Sequence, residues 1–569
     1  MRRRVVLVGA TGTFGSRLAA MLAGFSEIDL VLAARRRDAL ETLRGSLEEQ
    51  GGVAHILARP FDRSQPEKLA ELSPWLVVDA AGPFQDSDYR LALKAVQLGA
   101  HYVDLADGRN YVASFVSELD DAARQAGVLA VTAASSTPAL SHAALAPLLE
   151  GWRQIDDVTV AISPGARAPR GRSVVEAILS YVGRPVRIFD GGAWRTVPGW
   201  SGLRTMHMPG LGKRFVSICE TPDLDLLPER FPIRRAAHFM AGLEVPTMHL
   251  GLALLGLPVR WGLLSSLRPL ARPLRALSGI FALLGTDSGG MTVEALGRDA
   301  ENRPALARWA LWADSGAGPH TPAAPAAAMV RALLEGRETR RGAMACAGML
   351  ELGDILHELA RLPIHTRIDN ALPESPILFE RLLGRRWNEL PTSLRVVHGG
   401  GRFSASGCAI ARIGANLPAR LLRRLLGLPR SGRHKASVTL EPAPDGERWT
   451  RRFGRAQFAS LLTDTKRKQL GLFEERFGPL RFTFDLRPSP AGVSWGLCGW
   501  SVAGLPLPRW LAPRIRAGAE DTDGLYRFRV VVAHRWIGLL FAYRGTLIPA
   551  SSGAPDNAAL SSPSAKLPL

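Results

Sequence analysis

Residues 5–22, VVLVGATGTFGSRLAAML, bring four apolar residues up to three glycines spaced three apart, and an apolar helical pattern starts directly behind them. Val5–Val8 reads as a short buried strand. Gly9 permits the sharp turn out of it, Gly12 leaves room for a pyrophosphate to approach the backbone, and Gly15 lets a helix lie close on the strand. The loop of Gly9, Ala10, Thr11, Gly12, Thr13, Phe14 and Gly15 would then turn the first amides of a helix over Ser16–Leu22 toward an anion. The spacing is GxxGxxG rather than GxGxxG. A bare strand-to-helix turn would use the same glycines.

The next apolar run, Ile28–Ala34, ends in Arg35-Arg36-Arg37. A strand end carrying Asp or Glu suits the ribose 2′-hydroxyl of NAD, whereas a guanidinium there suits a 2′-phosphate. Arg35 and Arg36 therefore indicate NADP. A third strand in GGVAHILARPFD ends at Asp62, within reach of an adenine edge. A fourth, Leu76–Ala80, runs into Ala81, Gly82, Pro83 and Phe84. GAHYVDLAD holds a fifth and GVLAVTAA a sixth, with helical stretches over Ser87–Leu98 and Asn110–Gln125. This alternation implies a Rossmann-type parallel sheet, whose ligands lie beyond the carboxyl ends of the strands. The Gly9 loop, Arg35, Asp62 and the Gly82 loop all fall at those ends.

GATGTFG, AGPF, GAHYVDLAD and SSTPALSHAAL, in this order, resemble the saccharopine dehydrogenase-like reductases. The likeness continues through LLGTDSGGMTVEALGRD, RWALWADSGAGPHTPAAPAA and GAMACAGMLELGDILHEL, over roughly residues 4–362. It implies an NADP-binding Rossmann domain over 1–140, then an inserted α+β substrate and dimerisation domain with a return segment over 141–363. Many members carry Gly-Glu after the fifth strand's Tyr-x-Asp. This chain has Ala106-Asp107-Gly108, which sets it apart from amino-acid-reducing relatives.

The chain of 569 residues has room for more than one domain, and its 46% hydrophobic content allows a sizeable core. Cys219, Cys346, Cys408 and Cys498 are far apart and form no metal-ligand cluster, as expected of free thiols in a reducing compartment. Met1-Arg2-Arg3-Arg4 leads straight into the first strand with no secretory pattern, so a cytoplasmic location is expected, peripheral at a membrane in one reading. VPTMHLGLALLGLPV (245–259) and ALSGIFALLG (276–285) are too short to span a bilayer. They read as a buried or dimer-forming helical layer, or else as an interfacial pair or the lining for an acyl chain.

Charge divides the chain unevenly. Of the net +19, residues 374–550 carry most, with 29 Lys and Arg against 13 Asp and Glu. A linker is expected at 364–377, a basic α+β module at 378–549 and a disordered tail at 550–569. The module resembles the domain of unknown function often fused behind such reductases. Its helix PARLLRRLLGLP, with Arg420, Arg423 and Arg424, suits an anionic membrane surface or an acidic carrier protein. No nucleic-acid-binding motif appears. His398, Trp449, Arg451 and Arg452 are either pocket-lining or packing residues.

For catalysis, Tyr102 and Asp104 lie two apart on the fifth strand, so they share a face. Tyr102 is a candidate hydrogen-bond donor to an oxyanion or enolate, and His142 begins a helix after the sixth strand. Arg109 is a candidate partner for a substrate carboxylate. No metal is expected. These readings converge on an NADP-dependent oxidoreductase acting on a small-molecule or lipid-like substrate, apolar or carrier-linked, by carbonyl, imine or enoyl reduction. The alternative is a non-catalytic NADP(H)-binding protein whose basic module binds a partner or membrane.

Overall fold

The computed structural model describes residues 2–369 and 378–549, apart from positions 170, 283, 302–303, 400–402, 444–445, 466–470 and 503. The chain forms two compact units, Met1–Leu372 and Pro373–Leu569.

The first unit opens with strands β1 (Arg3–Val8), β2 (Ile28–Ala34), β3 (His55–Pro60), β4 (Leu76–Asp79), β5 (His101–Asp104) and β6 (Leu129–Thr132). They form a parallel sheet in the order β6-β5-β4-β1-β2-β3, and Gly342–Ala345 adds a return strand beside β6. The order reverses between β1 and β4, the switch point at which such sheets open a crevice. Helices α1 (Thr13–Leu22), α2 (Arg37–Glu49), α3 (Arg90–Gln97) and α4 (Arg109–Gln125) cross between the strands. Valine and leucine occupy β1 and β4 without alternation because helices cover both faces; Val5, Val6, Leu7, Leu76, Val77 and Val78 are fully buried. Helix α3 starts at Arg90 rather than Ser87, β3 stops at Pro60 before Asp62, and α1 starts at Thr13.

After α5 (Ser141–Leu148), a second, mixed nine-stranded sheet is built around Gln154–Ser163. Helices α6 (Arg172–Tyr181), α7 (Asp223–Arg230), α8 (Pro246–Arg260) and α9 (Ala271–Ala282) attend it. Gly183, at φ +78°, lets α8 approach closely: a Cβ there would lie 2.4 Å from the Gly256 carbonyl oxygen. Ile364–Asp369, within the expected linker, is instead an edge strand paired with Pro304–Ala313. An edge strand needs a ladder on one side only, so its exposed His365, Thr366 and Arg367 resemble a linker in sequence. Residues 370–377 and the tail 550–569 lie outside the described residues.

The second unit is an antiparallel β-barrel with short helices, among them Leu378–Leu383 and Leu417–Leu426. Leu480–Ser489 pairs with both Leu472–Phe477 and Gly492–Val502, which closes the ladder. His398, Trp449 and Arg451 belong to its packed interior. His398 stacks on Phe379 at 3.9 Å, and burial lowers its pKa to about 3. Arg451 pairs with Glu475 at 3.0 Å. Arg452 is exposed.

Candidate functional site

The glycine loop is shaped by contact. A Cβ on Gly9, at φ +78°, would come within 2.9 Å of the Ala80–Ala81 backbone, and one on Gly15 within 2.1 Å of the Gly9 carbonyl oxygen. Gly12 precedes α1 with extended backbone, and no side chain caps the helix. The first amides of α1 are thus left for a ligand rather than for a local acceptor.

This loop borders a cavity of about 1420 Å³ lying wholly within the first unit. Gly9, Thr11, Gly12, Thr13 and Phe14 line it, as do Arg35, Arg36 and Asp62, and the loop Ala81, Gly82, Pro83 and Phe84. Ala10 and Gly15 do not. Ala10 is fully buried, and Gly15 packs on Gly9. Arg35 is exposed and makes no hydrogen bond or ion pair among the described residues. Asp62 accepts the Ser64 amide and hydroxyl, both at 2.9 Å. The Ser64 bonds hold its pKa below the usual carboxylate value. A free guanidinium, an uncapped helix and a glycine cradle fit a phosphorylated dinucleotide.

The three catalytic candidates do not reach this cavity. Tyr102 and Asp104 are fully buried inside the sheet. The Tyr102 hydroxyl donates to Asp79 Oδ2 at 3.2 Å, and the same oxygen accepts Arg63 Nε at 2.7 Å. Asp79 Oδ1 accepts the Ala81 amide at 2.9 Å. Tyr102 therefore braces the carboxylate that shapes the Gly82 loop. Asp104 Oδ1 accepts the Ala106 and Ala133 amides and the Thr132 hydroxyl, and burial pushes its pKa up to about 7. His142 is fully buried with Nε2 3.5 Å from Asp223 Oδ1. Tyr102 and Asp104 do lie at the end of β5, but their polar atoms bond to the ends of β4 and β6 and to the backbone just after the strands rather than opening into the cavity. Arg109 is also spent: it grips Asp225 with two bonds of 2.6 Å and donates to the Arg187 carbonyl.

Other polar groups do face the cavity, several of them from the segments that follow the Rossmann strands. Tyr181, at the end of α6, shares a 2.8 Å hydrogen bond with Cys219 Sγ. Burial raises the tyrosine's pKa well above its ordinary value and pushes the thiol up to about 12. Asp107 and Glu220 also line the wall, and partial burial raises the pKa of Glu220. Thr221 and Thr321 line it too, and their buried hydroxyls have no hydrogen-bond partner among the described residues. Arg63 was missed as well; it lies 5.5 Å over Phe84. Arg63 adjoins a motif and could have been found from sequence. Tyr181 and Cys219 meet across 38 positions with no shared motif.

Beyond the Rossmann strands the walls are mostly apolar, including Ile162, Ile178, Phe239, Leu252, Phe281 and Met291. Among the described lining residues from Ile162 onward there is no Lys, Arg or His.

Residues 5–131 match the saccharopine dehydrogenase NADP binding domain, and residues 390–547 match the domain of unknown function DUF4166. No curated protein matches the chain. Among solved structures it is similar to the apo, L-Glu-forming saccharopine dehydrogenase of Saccharomyces cerevisiae, at 13% identity over 64% of this chain and 100% of that one, with a TM-score of 0.46. It is also similar to the C. glutamicum DAP dehydrogenase bound to DAP, at 14% identity over 63% of this chain and 98% of that one, with a TM-score of 0.33. An engineered D-amino acid dehydrogenase bound to NADP+ gives 14% identity over 63% and 99%, with a TM-score of 0.34. The chain is thus a fusion of a saccharopine dehydrogenase-type NADP-binding domain with a DUF4166 domain.

Proposed function

We propose that this NAD(P)-dependent oxidoreductase uses NADPH to reduce a carbonyl, imine or enoyl group on an apolar substrate that carries no free carboxylate near the reacting carbon. The observation that carries this reading is the composition of the substrate half of the cavity. Its described lining offers apolar walls and acidic groups but no cation. An amino or keto acid would need its carboxylate paired, because burying an unpaired charge is costly. The described lining arginines, Arg35, Arg36, Arg63 and Arg90, all come from the Rossmann segment.

Bound NADPH would supply the hydride. Tyr181, kept protonated by burial and tied to Cys219, would donate a hydrogen bond or proton to the oxygen, nitrogen or enolate that gains charge. Its hydroxyl has one partner to exchange for a substrate atom. The Asp79–Tyr102–Arg63 network ties the start of the Gly82 loop to the sheet through the Ala81 amide.

The test is NADPH oxidation against a panel of long-chain enones, ketones and thioesters alongside amino-acid-derived imines and keto acids. Turnover of the apolar group is expected, and Tyr181→Phe should cost roughly a hundredfold or more in kcat while NADPH affinity holds. Preference for the carboxylated substrates would overturn the reading.

A further inference from the structure

Helices α8 and α9 form one wall of the cavity. Their inner side supplies Gly251, Leu252 and Leu255 from α8, and Leu274 and Phe281 from α9. Leu254 on α8, the connection between the two helices and Leu284 after α9 expose apolar side chains as well. Leu254 and Trp261 are 66% exposed, Leu263 72% and Leu284 73%, with Leu264 and Leu270 partly exposed beside them in sequence. Single exposed leucines are ordinary, but a run of them over one segment, 254–284, marks an interaction surface.

The charges decide what it meets. Between Glu244 and Asp287 the sequence contains no Asp or Glu, but it holds Arg260, Arg268, Arg272 and Arg275. Arg268 is tied to Asp86. Arg260 and Arg272 are exposed and have no ion-pair partner among the described residues. A second copy of this chain seated on the patch by two-fold symmetry would bring these arginines together with no carboxylate of the segment between them. A bilayer with anionic headgroups satisfies both halves of the surface. Leucine and tryptophan enter the acyl boundary while arginine stays at the phosphates. No helix among the described residues is long and apolar enough to cross a membrane.

We propose that the α8–α9 hairpin docks this protein on an anionic lipid surface, with the outer side of the cavity wall lying in the headgroup region. Leu255, a lining residue, is next in sequence to the exposed Leu254, so α8 serves both cavity and patch. The wall then separates the cavity from the lipid by the thickness of one helical layer, and a long-chain substrate has a short path in. That last step rests on the apolar-substrate reading above; the docking itself does not.

The test is flotation of the full chain with vesicles of phosphatidylcholine alone, and of phosphatidylcholine and phosphatidylglycerol in equal parts. Co-flotation with the anionic vesicles is expected, weakening as salt rises. Leu263→Asp/Leu264→Asp should reduce it at least about tenfold, because charge at the acyl boundary is costly. Arg260→Glu/Arg272→Glu should do likewise, since each arginine near such a surface is worth about fivefold. None of the four lines the cavity, so NADPH binding should be unchanged in both variants and certifies their folding. If the leucine variant does not fold, the arginine variant decides.

A chain that does not float with anionic vesicles overturns the docking. So do variants that float as well as the parent, which would move binding to the basic helix Leu417–Leu426. A concentration-dependent dimer abolished by the same substitutions, without vesicle binding, assigns the patch to a second copy instead. Turnover of detergent-dispersed substrate without vesicle binding would leave the reductase reading standing and remove only the docking.

Discussion

Replacing Arg35 with alanine separates the two nucleotides. The guanidinium is exposed, lines the cavity and makes no hydrogen bond among the described residues, so its removal should leave the fold intact. A hydrogen bond to a charged group contributes about 1.5–3 kcal/mol. Two features place Arg35 at the low end of that range. Its exposure lets water and salt screen the charge. Asp62 stands close enough that the two interact, so part of the arginine's field is already neutralised. Arg36 also lines the cavity and keeps one positive charge near the phosphate. The expected loss for NADPH is therefore about 1.5 kcal/mol, or roughly tenfold in Kd. NADH has no 2′-phosphate and should lose about twofold at most, from adenine stacking alone. Titrations followed by nicotinamide fluorescence, at two salt concentrations, measure both, and the NADPH loss should shrink as salt rises. Equal losses for the two nucleotides, or no loss for NADPH, would refute the assignment of Arg35 to the 2′-phosphate.

Asp104 predicts a pH dependence. Its folded pKa of about 7 lies above the ordinary 3.8, so the native state holds the proton more tightly than the unfolded chain. Its contribution is complete below the unfolded value and is lost as pH rises to about 7. Asp104→Asn keeps an acceptor for the Ala106, Thr132 and Ala133 bonds and should flatten the Tm profile across that window; parallel profiles would refute the assignment. Residues 1–372 expressed alone should bind NADPH, because every cavity-lining residue falls between Val8 and Pro322; a folded fragment without binding would refute this. Under mild alkylation, mapped by mass spectrometry, Cys408 should react well before Cys219, since Cys408 is exposed while burial keeps the Cys219 thiol protonated.

The nucleotide end was legible because its signals are local. Glycine spacing encodes a turn and two close approaches, and an arginine directly after an apolar strand is one step from the sheet's edge. The closed barrel was less so: alternation over 432–547 marks strands and hairpins, but closure depends on Leu480–Ser489 meeting two neighbours at once.

From sequence alone came the βαβ alternation, the glycine loop and the arginine after the second strand that border the cavity, and the basic character of the second unit. Each rests on neighbours in the chain or on a repeat that periodicity reveals. Only the tertiary structure decided which polar groups face the cavity. Tyr102 and Asp104 sit at the right strand end, but they are buried and the neighbouring strand ends take their polar atoms. Tyr181 and Cys219, unremarked in sequence, are brought together when α6 and the second sheet pack over the same space. A strand's direction is set by local backbone, whereas the wall a side chain faces is set by what packs against it, and that partner is distant in the chain.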